Sequence, residues 1–146
     1  MNPIVNVTSE LKECIHFQGL TPGLGPNPRL EQGVTFTLLG TSGNPEPQTR
    51  VSETLGFTGF DCSPTTKIQL PVPALSVELT LVHHEPSPVP VVQAFSGSTL
   101  IAAVPMTVGS LQAQTLTIAG PAIDRLLIQG PDNRVKLLQF CFEPVS

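Results

Sequence analysis

Apolar residues recur at every second position in several short stretches of the chain, the period of a half-buried strand whose side chains point alternately to two faces. The cleanest case is 74–82, where Leu75, Val77, Leu79 and Leu81 form an apolar face and Ser76, Glu78 and Thr80 a polar one. Val34, Phe36 and Leu38 alternate with threonines in 33–39, and in 13–17 Ile15 and Phe17 oppose Cys14 and His16. Residues 89–95 and 99–104, joined through Gly97-Ser98 and stopped by Pro105, read as a hairpin, and a further strand is expected over 111–118. In 122–143 two denser runs, 123–129 and 134–142, flank Gly130-Pro131-Asp132-Asn133, residue types that make tight turns. The pattern predicts a closing β-hairpin. Because Leu126, Leu127 and Ile128, and then Leu137 and Leu138, place apolar groups on both faces, that hairpin is expected to be central and covered on two sides.

Between these runs the chain changes character. Residues 19–28 and 40–48 are rich in Gly, Pro and Asn and read as irregular surface crossings. In 55–62 glycines interrupt the aromatics, the mark of a bulge or a close backbone approach. Pro71-Val72-Pro73 is a step between Ile68-Gln69-Leu70 and the clean strand, and residues 8–12 have the composition of one capped helical turn. With 16 prolines and 12 glycines, no long helix can run uninterrupted. The expected fold is all-β, a single antiparallel β-sandwich domain over 1–146 with eight or nine strands and negligible helix. No internal repeat of the length that builds a propeller or solenoid is visible.

Charge and composition narrow the function classes. Charged residues make up 12% of the chain against 40% hydrophobic, so it is expected to be ordered, with a surface covered largely by uncharged polar residues, Pro and Gly. A net charge of -4 without a cluster of Lys or Arg speaks against nucleic acid and against a polybasic membrane contact. Residues 1–6 lack the basic and apolar regions of a leader, and no apolar run is long enough to span a bilayer. The expectation is a soluble protein made in the cytoplasm, either remaining there or joining an exported or surface assembly.

Few residues suggest chemistry. His83-His84-Glu85 is the one cluster that invites a metal or acid/base role, but neighbours on a strand point oppositely, and the plainer reading is a solvated strand end. His16 beside Cys14 has the types of a nucleophilic pair without an identifiable orienting group or oxyanion hole. Asp124 and Arg125 interrupt an apolar strand and are expected to bond a neighbouring loop and so pin the sandwich. Asp61, Asp132 and Asn133 lie near turns without the clustered spacing of a calcium loop. Asn6-Val7-Thr8 matches a glycosylation sequon, a triplet common by chance. Cys14, Cys62 and Cys141 have no metal-ligand spacing, and an odd number leaves at least one unpaired; the plain reading is buried small hydrophobes. Nucleotide-loop, nucleophile-elbow and zinc-protease motifs are missing. The sequence thus points to no enzyme, no catalytic or metal-ligating set and no cofactor, and identifies no ligand-binding residues.

Two segments carry a resemblance. Cys14-Ile15-His16-Phe17-Gln18-Gly19-Leu20 is similar to the C-[VI]-x-F-[EQ]-x-L opening, and Ile123-Asp124-Arg125-Leu126 through Cys141-Phe142 to the I-D-R-[VIL]-x-I and L-x-x-[IFL]-C-[FY] close, of bacterial galactose-binding-like jelly-roll modules. The resemblance implies a non-catalytic jelly-roll sandwich of the kind found in carbohydrate-binding and cell-surface accessory domains, with first and last strands side by side. Cys14 and Cys141 are then within reach of one another. The leaderless start suggests a reducing compartment, so reduced thiols in contact are expected over a formed bond, with Cys62 unpaired.

Two functions follow as expectations. The first is a non-enzymatic interaction or assembly module, a structural protein that docks on itself or on a larger particle through weakly charged strand faces that include Gln112, Gln114 and Thr117. The second is a carbohydrate-binding, lectin-like module. It lacks the Trp and Tyr that usually grip sugar rings and has seven Phe, of which Phe17, Phe36, Phe140 and Phe142 are expected in the core.

Overall fold

In the computed structural model, residues 12–85, 88–131 and 134–145 are described. The predicted helical turn at 8–12 and the sequon at Asn6 lie, apart from Lys12, outside them. Eleven strands follow in chain order: β1 (Glu13–His16), β2 (Gly23–Gly25), β3 (Arg29–Glu31), β4 (Val34–Leu39), β5 (Thr49–Thr54), β6 (Phe57–Asp61), β7 (Thr65–His83), β8 (Val91–Ser96), β9 (Thr99–Pro105), β10 (Gln114–Gln129) and β11 (Val135–Pro144), with one 3-10 turn at Phe17–Gly19. Every strand pairing is antiparallel, as expected.

Two long strands generate the sandwich by bending. The first half of β7 pairs with β4 on one side and with Arg125–Gln129 of β10 on the other, while its second half pairs with β11 and with the first half of β10. The bends fall where proline removes ladder donors, at Pro71 and Pro73 of β7 and Pro121 of β10, and the β7–β10 register shifts there. One layer therefore runs β3, β4, β7, β10, β8, β9, and the other β2, β5, β6, β11, β7, β10, with β1 beside the far end of β11. The layers meet through aromatic rings: Phe36 of β4 stands edge-on to Phe140 of β11 at 6.1 Å, and Phe17 and Phe60 complete the cluster at 5.2 to 5.5 Å. Phe17, Phe36, Phe140 and Phe142 are core residues, as the sequence predicts.

Several expectations are corrected. The segment 122–143 is not a hairpin: β10 and β11 do not pair, because β7 lies between them. β10 ends at Gln129 in one layer and β11 begins at Val135 in the other. The apolar residues on both sides of the turn are explained all the same, since Leu126, Ile128 and Leu137 are inside the core. Among the described residues there are eleven strands, not eight or nine: β2, β3 and β5 lie in stretches with too little alternation to announce them, and 111–118 joins 123–129 in one bent β10. Leu75 is 40% exposed where alternation placed it inward, because the corner at 71–73 shifts the phase and gives the inward place to Ala74. The β8–β9 hairpin turns at Gly97 as expected, with φ +60.

Strands β1 and β11 are neighbours in a register that sets Cys14 directly opposite Cys141, and the two form a disulfide across a Cα separation of 4.0 Å. Reduced thiols were the expectation; the facing register gives the sulfurs the approach a bond needs. Cys62 is the free cysteine, buried as expected.

Candidate functional site

A lysine inside an apolar run stands at the edge of a polar cavity. Lys136 sits between Val135 and Leu137 on β11 and is 1% exposed, although its side chain leaves the core face. It lies across β6 towards β5, and Gly59 makes that path possible: a Cβ at Gly59 would stand 2.8 Å from Lys136 Cγ and 2.7 Å from the Leu137 carbonyl oxygen. At the end of that path the ammonium donates to Asp61 Oδ1 at 2.6 Å, Ser52 Oγ at 2.7 Å and the Ser52 carbonyl at 3.2 Å. All three donors of the ammonium are used, which is what a buried cation requires. Ser52 Oγ in turn donates to Asp61 Oδ2 at 2.7 Å. Three strands are thereby tied by one charge.

Beside this network is a cavity of about 490 Å³. Its floor is the outward face of β5, where alternation brings Arg50, Ser52 and Thr54 to the same side, with Asp61 and Lys136 beyond. One wall is the loop between β4 and β5, which contributes Glu46, Pro47 and Gln48; the other is formed by His84 and Arg134. The loop is held by Asn27, whose amide donates to the carbonyls of Leu38 and Glu46 at 2.9 and 2.6 Å while its oxygen accepts from Leu38 N–H at 2.9 Å. Arg134 pairs with Glu85 at 3.4 Å, and its carbonyl accepts from His84 N–H at 2.8 Å. His84 Nε2 is buried and has no hydrogen-bond partner among the described residues. Burial, together with the Lys136 charge, holds the His84 imidazole below its ordinary 6.5. Cys62 also borders the cavity, but burial pushes its thiol up to about 12, so it is a poor nucleophile.

The residues singled out in the sequence scatter around this site. His83 and His84 point oppositely, as expected of strand neighbours, but His83 is not solvated: it is fully buried, with Nδ1 against the Glu85 carbonyl and Nε2 3.0 Å from that of Val108. Each ring nitrogen faces a backbone carbonyl, so a nitrogen that carries a proton has an acceptor. His16 bonds Gln139 at 3.1 Å on the surface, and Cys14 beside it is in the disulfide, so the nucleophilic pair does not exist. Asp124 accepts from Gly97 N–H with both oxygens, at 3.1 and 3.2 Å, and Arg125 donates to the Gly97 carbonyl at 3.4 Å while lying 4.4 Å over the Phe95 ring. That is the loop contact the sequence predicts. Asp61 serves Lys136, while Asp132 and Asn133 fall outside the described residues. Among the described residues no three acidic, His or Cys side chains are grouped to hold a metal ion. Sequence reasoning missed Lys136, Ser52 and Arg50; the available signal was a lysine flanked by Val135 and Leu137-Leu138, with a glycine in a neighbouring aromatic segment.

No protein-family model matches the sequence, and no curated protein does. Solved structures do. A point mutant of a carbohydrate-binding module of family 29 superposes with a TM-score of 0.51 at 9% identity, covering 90% of this chain and 91% of that one. A second mutant from the same module family, made to probe ligand recognition, gives 0.50 at 9% identity, covering 90% of each. At such identity the likeness is one of fold, and the chain has a β-sandwich of the carbohydrate-binding-module type.

Proposed function

We propose that this chain is a non-catalytic carbohydrate-binding module, one β-sandwich domain over 1–146 that holds its glycan in the cavity beside Asp61. The observation that carries this reading is the lining of that cavity. Carboxylate, guanidinium, amide and hydroxyl groups converge on a space large enough for a small oligosaccharide segment, on a sandwich whose fold is shared with family 29 carbohydrate-binding modules. The assembly reading suggested by the low charge takes second place. Its support is a small apolar corner where Val72, Leu75 and Val145 are exposed and Val145 N–H bonds the Pro73 carbonyl at 3.0 Å. A glycan array followed by calorimetric titration tests the ranking, with light scattering on the same sample. Monomeric protein that binds one class of oligosaccharide is the expected result. A concentration-dependent oligomer that binds no glycan would reverse the order.

A further inference from the structure

The geometry points to a neutral, hydroxyl-rich ligand in the cavity, with the Asp61 carboxylate accepting a hydroxyl of that ligand and Lys136 acting as the positioning residue that fixes the carboxylate. This rests on the carbohydrate-binding reading above and assigns its chemistry. Charge comes first. Of the charged groups lining the cavity, Lys136 is matched by Asp61 and Arg134 by Glu85, leaving Arg50 and Glu46, one of each sign, without an ion-pair partner among the described residues. The site carries no surplus positive charge to attract an acidic sugar, and a ligand carboxylate would meet Asp61 and Glu46 at close range. Hydrogen-bonding capacity comes second. Lys136 is saturated by Ser52 and Asp61, so it has no donor left for a ligand. Each oxygen of Asp61 accepts one bond from the protein, and an ionised carboxylate has about four acceptor positions, so each oxygen keeps one for a hydroxyl. Arg50 on the floor and Gln48 in the wall add donors, and His84 Nε2 is a buried polar atom with its bond unmade. Acceptors and donors side by side match vicinal hydroxyls, each of which both gives and takes a hydrogen bond. Apart from the His84 imidazole, the lining has no aromatic ring, so recognition here reads hydroxyls and does not rely on stacking.

The test uses the intact chain and defined probes: cellohexaose, mannohexaose and xylohexaose as neutral sugars and trigalacturonate as an acidic one. Amide shifts are followed during titration, and binding is measured for the wild type, Asp61→Asn and Lys136→Met. The expected result is binding of a neutral hexasaccharide, with shifts at Arg50, Ser52, Asp61 and Lys136, and a loss on the order of tenfold in Asp61→Asn, the size of one hydrogen bond to a charged group. For the positioning role the readout is selectivity. The wild type should discriminate against monodeoxy analogues of its preferred sugar, and Lys136→Met should lose that discrimination, which a purely structural residue would leave intact. Should either variant fail to fold, the shift map of the wild type still decides. Shifts confined to Gln69, Gln93 and Arg125 on the outer face of the other layer, or a preference for trigalacturonate, would overturn this inference and leave carbohydrate binding standing. Binding to none of the sugars would overturn the carbohydrate reading itself.

Discussion

Lys136 on β11 and the Asp124-Arg125 pair on β10 look alike in the sequence, each a charge set in an apolar strand, yet the fold uses them differently. Asp124 and Arg125 stay near the surface and reach sideways to one hairpin turn, where Gly97 receives both. Lys136 is buried and reaches across two further strands, to Asp61 and Ser52. The first arrangement fixes a loop; the second holds a carboxylate still at the edge of a cavity. Depth decides the difference, because a charge near solvent keeps part of its hydration while a buried one depends on its partners.

The contrast sets the expected effects, beginning with the largest. Lys136→Ala should destabilise the chain by about 3 kcal/mol, since removing one member of a buried pair strands the other. Pairing Lys136→Met with Asp61→Leu should recover most of that loss in urea melts; a double variant as unstable as the single would mean the pair is not the cause. Gly59→Ala should cost about 1–3 kcal/mol by overpacking, because the new methyl meets the Leu137 carbonyl, a backbone atom that cannot swing away. Asp124→Ala should cost about 1 kcal/mol, the usual worth of an exposed side-chain hydrogen bond to the backbone. A loss at Asp124 as large as that at Lys136 would erase the distinction between the regions.

The smallest effect is one of pH. The folded state holds His84 below 6.5, so as pH falls through 6.5 the unfolded chain takes up a proton that the folded chain resists. Stability contributed by the neutral imidazole is therefore complete above 6.5, declines below it, and levels off once the folded-state value is passed. His84→Gln should flatten this slope in melts recorded between pH 5 and pH 8 on the order of the ordinary imidazole range, and an unchanged slope would place the titration elsewhere.

Much of the fold is legible in the chain, for identifiable reasons. Alternation gives the correct inward face for β1, β4 and, beyond the corner, Val77, Leu79 and Leu81 of β7, because each is half-buried and period two is the direct imprint of that state. The loop contact of Asp124 was legible because a charge in an apolar strand needs a nearby partner. Whether the two runs flanking 130–134 pair with each other was not legible, since the same turn residue types serve either case and only the intervening strand β7 decides it. Strands β2, β3 and β5 are short or mixed in pattern and are strands because a neighbour pairs with them. The disulfide was missed because the compartment was inferred from a chain start, whereas its geometry depends on the facing register of Cys14 and Cys141. The cavity was hidden for a similar reason: Ser52, Asp61 and Lys136 come from three strands and converge only through pairing.

A crystal structure of the chain with its best neutral oligosaccharide tests the account most directly. The account predicts sugar density in the cavity between Arg50 and His84, with a hydroxyl within hydrogen-bonding distance of Asp61, about 3 Å, and Lys136 still bound to Asp61 and Ser52. Sugar seated instead on the Phe95-Arg125 face, with the cavity empty, would contradict it.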